Sequence, residues 1–296
     1  MNNVKLFFLA ILFGTTFLTS CNDDDVTATT GNLDLNITGL QDLGSDYVYE
    51  GWLIVDGSPV SAGIFSVNAN GELSKSSFEI DQETLNNAAT YVLTIEPSPD
   101  NDPAPSDVHI LAGDFSGNNA AITVNHGAAI GTDFLAATGS YILATPTDGG
   151  AMTDENSGIW WLDPAGGPGA GLDLPTLPAG WVYEGWAVID GSPISTGTFT
   201  SVTGMDNFSG FSATDAGSPP FPGEDFLINP PNGLNFPVDL AGKTVVISVE
   251  PSPDNSTAPF LLKPLVGAVP ADAVDHTLYG MNNNAAATNP TGTVTR

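Results

Sequence analysis

The sequence predicts an all-β protein made of two tandem antiparallel β-sandwich domains. Three observations carry the prediction. Short apolar-polar alternations recur along the whole chain, and its 33 Gly and 23 Pro are too many for long helices. One strand-turn-strand phrase is also written twice, VYEGWLIVDGSPVSAGIF at 48–65 and VYEGWAVIDGSPISTGTF at 182–199.

The chain opens with Lys5, the apolar run LFFLAILFG (6–14) and the small-residue stretch before Cys21. This run is shorter than the ~20 residues of a membrane-spanning helix and follows a basic residue, so 1–20 reads as a signal peptide. Leu18 to Cys21 resembles the lipobox of bacterial lipoproteins, and Cys21 is the single cysteine, so it is the expected lipid-attachment site. The acidic NDDD and Thr-rich residues behind it give a tether, 21–31, and resemble a surface-export signal of Gram-negative lipoproteins.

Strands follow in order: LDLNITGL from Leu33, VYEGWLIV, TYVLTIEP, VHILAG, AAITV and SYILATP, with turn residues between them. Only DQETLNNAA, Asp81 to Ala89, reads as a turn or two of helix, with Asp81 as its cap. Asp56-Gly57 predicts a tight hairpin, because glycine accepts positive φ. The duplication extends further: Ile95 aligns with Val249 in EPSPDN, and His126 with His276. The second copy holds about twenty extra residues, placed at Gly217 to Phe236. The expected organisation is repeat 1 at 32–146, linker 147–156 and repeat 2 at 157–296, with SGIWWLDP opening the second copy. AGGPGAG, 165–171, is the competing boundary. Each repeat is expected to fold around its own core, with Trp52 and Trp186 on its inner face beside Ile54 and Val188.

The phrase around Trp52, followed by the strand ending in Glu-Pro before a Pro-rich loop, resembles the extracytoplasmic C-terminal domain of the anti-sigma-K-factor family. The motif positions in copy one are Tyr49, Glu50, Trp52, Gly57, Ser61, Gly63, Phe65, Glu96 and Pro97. In copy two they are Tyr183, Glu184, Trp186, Gly191, Ser195, Gly197, Phe199, Glu250 and Pro251. Family members add a cytoplasmic sigma-binding domain and a transmembrane helix, which have no counterpart in this sequence. The resemblance implies the outer, sensing or structural half of such a protein, without direct sigma-factor binding.

Thirty-four acidic residues against five basic ones, for a formal charge of −29, argue against nucleic acid and polybasic lipid docking. Glu50 with Glu96, and Glu184 with Glu250, are the carboxylates that a glycoside hydrolase would need about 5–10 Å apart. Their positions beside a strand Trp and at a strand end favour backbone bonding, so the protein reads as non-enzymatic. No Ser-His-Asp order or phosphate loop stands out. Asp100, Asp102 and Asp107 are the calcium candidates. A solvated turn is the preferred reading, since EF-hand spacing is lacking and Ser256 replaces Asp102 in copy two. His109, His126 and His276 show no metal-ligand spacing, and no cofactor is expected. Trp160 and Trp161 are adjacent, so a strand would turn one outward, to dock on the neighbouring domain or stack on a sugar.

The expected function is a lipid-anchored outer-membrane protein, displayed at the cell surface, that binds a protein or glycan partner through its loops. The alternatives are an extracytoplasmic sensor working with a membrane anti-sigma system and an envelope glycoside hydrolase.

Overall fold

The computed structural model describes residues 29–214, 217–253 and 256–296. Residues 1–20, expected to be a signal peptide, Cys21 and the acidic run behind it lie outside these residues. The described chain is all-β, antiparallel and sandwich-like.

Copy one supplies β1 (Thr30–Thr38), β2 (Tyr47–Val55), β3 (Ser58–Phe65), β4 (Ser77–Asp81), β5 (Ala88–Pro97), β6 (His109–Ser116) and β7 (Asn119–Thr123). In β1, Leu33, Leu35 and Ile37 are buried and alternate with exposed residues, as its sequence period requires. The one helix of the copy, α1 (Gln82–Asn87), starts where expected, with Asp81 accepting from the Thr84 N–H. Asp56 and Gly57 both hold positive φ, +50° and +79°, as a type I′ hairpin demands, and Asp190-Gly191 repeats this at +51° and +85°.

The chain continues through β8 (Thr138–Leu143), β9 (Gly158–Trp160), β10 (Leu162–Asp163), β11 (Gly169–Ala170) and β12 (Leu172–Asp173). Then come β13 (Trp181–Ile189), β14 (Ser192–Phe199), β15 (Gly223–Asp225), β16 (Thr244–Pro251) and β17 (Leu265–Ala268). The last elements are β18 (Tyr279–Gly280), β19 (Asn282–Asn283), a four-residue α2 (Ala285–Thr288) and β20 (Thr291–Thr295). AGGPGAG lies within the excursion of the β10-β11 hairpin, between β9 and β12.

Copy one forms an eight-stranded sheet in the order β3-β2-β5-β6-β7-β20-β1-β4. Its outer strands meet where Phe65 faces Phe78, ring centroids 6.4 Å apart, so the sheet is curled on itself. Copy two repeats the same succession of pairings: β14-β13-β16-β17-β19, then β18-β8-β9-β15. Each copy therefore takes one strand from across the boundary read from the sequence. β20 fills the slot between β1 and β7, and β8 fills the matching slot between β9 and β18.

The segments 32–146 and 157–296 do not coincide with the two sheets, and one continuous hydrophobic core joins residues of both, from Leu33 and Tyr49 to Tyr183 and Ile247. Residues 147–156 are pinned to copy two. The Thr147 N–H and hydroxyl donate to Asp225 Oδ2 at 2.8 and 2.5 Å, and the Thr145 N–H donates to Glu155 at 3.1 Å.

The two repeat tryptophans depart from the expected face. Tyr49 and Leu53 enter the main core, whereas Trp52 and Ile54 point to the opposite side of β2, into a satellite cluster with Val92, Ala112 and Ala129. Trp186 is equally buried, on the face of β13 away from Tyr183 and Ala187. Neither Trp160 nor Trp161 faces solvent: Trp161 sits in the main core and Trp160 in a second small cluster with Ile142 and Phe221.

Candidate functional site

The repeated motif residues converge on one job in each copy. Tyr49 stacks on Phe65 across the β2-β3 hairpin, centroids 5.6 Å apart, and its hydroxyl donates to the Gln41 carbonyl at 2.9 Å. Tyr183 stacks on Phe199 at 5.7 Å and donates to the Pro175 carbonyl at 2.6 Å. The Ser61 hydroxyl donates to Glu50 while accepting from the Gly63 N–H at 3.3 Å, and Ser195 does the same between Glu184 and Gly197. This bridge sits at the bulge that shifts register after Gly51 and after Gly185. Gly63 is at φ +110°, and a β-carbon there would lie 2.6 Å from the Phe78 ring, so any other residue would be strained and would displace that ring.

The strand-end carboxylates act as loop staples. Glu96 accepts from the Ser106 N–H at 2.9 Å and Glu250 from the Phe260 N–H at 2.8 Å, each closing the loop that follows its EPSP segment. The Trp52 indole donates to Thr94 at 2.9 Å and the Trp186 indole to Ser248 at 2.7 Å. Burial holds the Glu50 carboxyl above its ordinary pKa, an effect that Ser61 opposes and the charges of Glu96 and Asp100 reinforce. Glu50 and Glu96 thus sit diagonally on one face of the β2-β5 pair, both bonded inside the fold.

Two of the three calcium candidates make turns of their own. Asp100 accepts from the Asp102 N–H at 2.9 Å and Asp102 from the Ala104 N–H at 3.0 Å. Among the described residues no group of three His, Cys, Asp or Glu side chains is arranged to hold a metal ion. His109 bonds the Ala128 carbonyl at 2.9 Å, His126 faces Asp114 at 3.4 Å and His276 faces Asp275 at 3.6 Å.

Two features escaped the sequence reading. The first lies in and beside the extra segment of copy two, which is a built element: it supplies β15 and three inward carboxylates. Glu224 accepts from Ser212 and from the Phe211 N–H, Asp225 from Thr147 and the Trp160 indole (2.8 Å), and Asp206 from the Gly223 N–H at 2.8 Å. Burial pushes Glu224 up to about 7 and Asp206 up to about 6, and raises Asp225. The signal was present in Gly223-Glu224-Asp225, but an acidic pair among prolines reads as loop.

The second is a cleft of about 470 Å³ between the copies. Its walls are the 41–47 loop, Ile95 and Val108 from copy one, with Pro251, Pro253 and Phe260 from copy two. The junction beside it is close: the Trp181 indole donates to the His109 carbonyl at 3.2 Å, and Gly180 packs on the Asp107 backbone, where a β-carbon could not fit. Leu43, Tyr47 and Phe260 give the cleft an apolar lining; Asp42 and Asp46 give it negative charge. A hollow formed by loops at a junction of two sheets, lined by apolar and polar residues in similar measure, is a candidate binding site.

Residues 25–109 match the family described as Anti-sigma-K factor rskA, C-terminal. The match spans β1 to the start of β6, in agreement with the resemblance carried by Tyr49, Trp52, Gly63 and Glu96. No curated protein matches the chain. No solved structure matches it either. Among the described residues no helix is long and apolar enough to cross a membrane.

Proposed function

We propose that this chain is a non-enzymatic binding module of the bacterial cell envelope, acylated on Cys21, held in the outer membrane and displayed at the surface. The observation that carries the reading is the cleft between the copies, built from loops of both, while the motif carboxylates Glu50 and Glu96 are bonded within the fold to a hairpin and a loop. Its chemistry suits a partner segment with an apolar body and a basic group, since Leu43, Tyr47 and Phe260 flank Asp42 and Asp46. The charge of −29 argues against nucleic acid as the partner. A photo-crosslinking residue at Leu43 in intact cells should trap a partner that the same residue at Ile64, far along an edge strand, does not. Equal labelling at both positions would reject the cleft. Cys21→Ala should move the protein from the membrane to the soluble fraction, and retention would place the anchor elsewhere.

A second reading is favoured by the family match over 25–109: a regulatory role related to anti-sigma factors, with the chain as an extracytoplasmic sensor beside a separate membrane regulator. Deleting the gene should then change transcription from one sigma-factor regulon, and an unchanged transcriptome would remove this reading.

A further inference from the structure

We propose that the slot between β1 and β7 is a strand-acceptor site, and that β20 is an exchangeable strand which a second copy of this chain can supply in trans. The slot is lined by two full backbone edges. β20 pairs with β1 from Asp34↔Thr295 to Thr38↔Thr291, and with β7 from Thr291↔Thr123 to Thr295↔Asn119, so it alone bridges them. Without β20, both edges would present unpaired N–H and C=O groups, the situation that strand addition resolves.

The occupant is lightly held compared with its counterpart. β20 buries one apolar side chain, Val294, between Leu35 and Ala120, whereas β8 in the matching slot buries Tyr141, Ile142 and Leu143. What β20 adds is a polar lock. The Arg296 guanidinium donates to the carbonyls of Leu85, Ala88 and Gly117 and lies 4.2 Å from the centre of the Phe115 ring, while its N–H donates to the Asn118 carbonyl at 2.9 Å. The slot therefore selects an extended segment with one small β-branched residue facing in and an arginine two positions on. The copies within the chain already trade strands reciprocally, which is the arrangement of a strand-swapped dimer joined into one polypeptide. The same trade between two chains needs no new contact.

The test uses the full chain in two differently tagged forms, mixed and incubated a few degrees below the melting temperature. Mixed-tag dimers should form, and excess synthetic peptide of residues 289–296 should suppress them at least tenfold. A peptide carrying Arg296→Ala should suppress them much less. A labelled 289–296 peptide should also bind full-length protein weakened in its own strand by Val294→Asp, and a scrambled peptide should not. Absence of both mixed dimers and peptide uptake would overturn the proposal. So would equal competition by the scrambled peptide.

Discussion

Truncating Trp52 to Ala tests both the buried role of the repeat tryptophans and the unity of the fold. The ring is 3% exposed and fills the space between β2, β5 and the loop carrying Ala128 and Ala129, with its N–H satisfied by Thr94. Alanine would leave a cavity under that loop and strip Thr94 of its donor, a loss of about 3–5 kcal/mol for a buried tryptophan. Trp186→Ala should cost a similar amount, since its ring is as deeply buried and bonded to Ser248. A unit of this length shifts by about 2 °C per kcal/mol, so each variant should melt about 6–10 °C lower. The two sheets exchange β8 and β20 and share one core, so scanning calorimetry should show one transition displaced as a whole in either variant. Two transitions, with only the mutated copy displaced, would refute the shared core. Unchanged melting with lost partner binding would refute the buried role.

Three further outcomes follow from the geometry. Glu224 titrates near 7 when folded but in the ordinary carboxylate range, near 4.5, when unfolded, so the folded state binds the extra proton and stability is lost as pH rises between those values. The loss amounts to up to about 3 kcal/mol, and Glu224→Gln should flatten the difference between denaturant midpoints at pH 5 and pH 8; an unaltered difference would place the titration on other groups. Gly63→Ala should cost more than about 2 kcal/mol, because φ is +110° and the new methyl meets Phe78, whereas Gly57→Ala, at φ +79° with open space around it, should cost about 1 kcal/mol; equal midpoints in urea would contradict the crossing. Ser61→Ala should cost about 1–3 kcal/mol by leaving the half-buried Glu50 without its donor and the Gly63 N–H without its acceptor, and wild-type stability in the same assay would show that water replaces the bridge.

Much of the hairpin chemistry was legible because it is local. Asp56-Gly57 and the Asp81 cap each depend on residues a few positions apart, and their residue types have few other uses. The tryptophan face was not legible, since YVYEGWLIV buries both of its faces and alternation cannot say which one meets the main core. The acid cluster was hidden for another reason. β15 is three residues long, and Asp225 is satisfied by Thr147 and Trp160 from distant segments that no local pattern connects. The exchange of β20 was least visible, because TGTVT holds one apolar side chain, Val294, and its partners lie 168 or more positions away.

That exchange bears on how a partner would be bound. Two domains on a simple linker are expected to move relative to one another, and a cleft between them would open and close freely. Here β8 and β20 cross in opposite directions between the sheets, Gly180 is packed on Asp107, and Trp181 is bonded to His109. The 41–47 loop and Phe260 therefore face each other from supports that a single hinge cannot separate. A site held this way loses little conformational freedom on binding, so more of its contact energy appears as affinity. The duplication of the VYEGW phrase then has a physical role beyond repetition: each copy supplies the other's missing strand, and together they fix one cleft that neither copy contains alone.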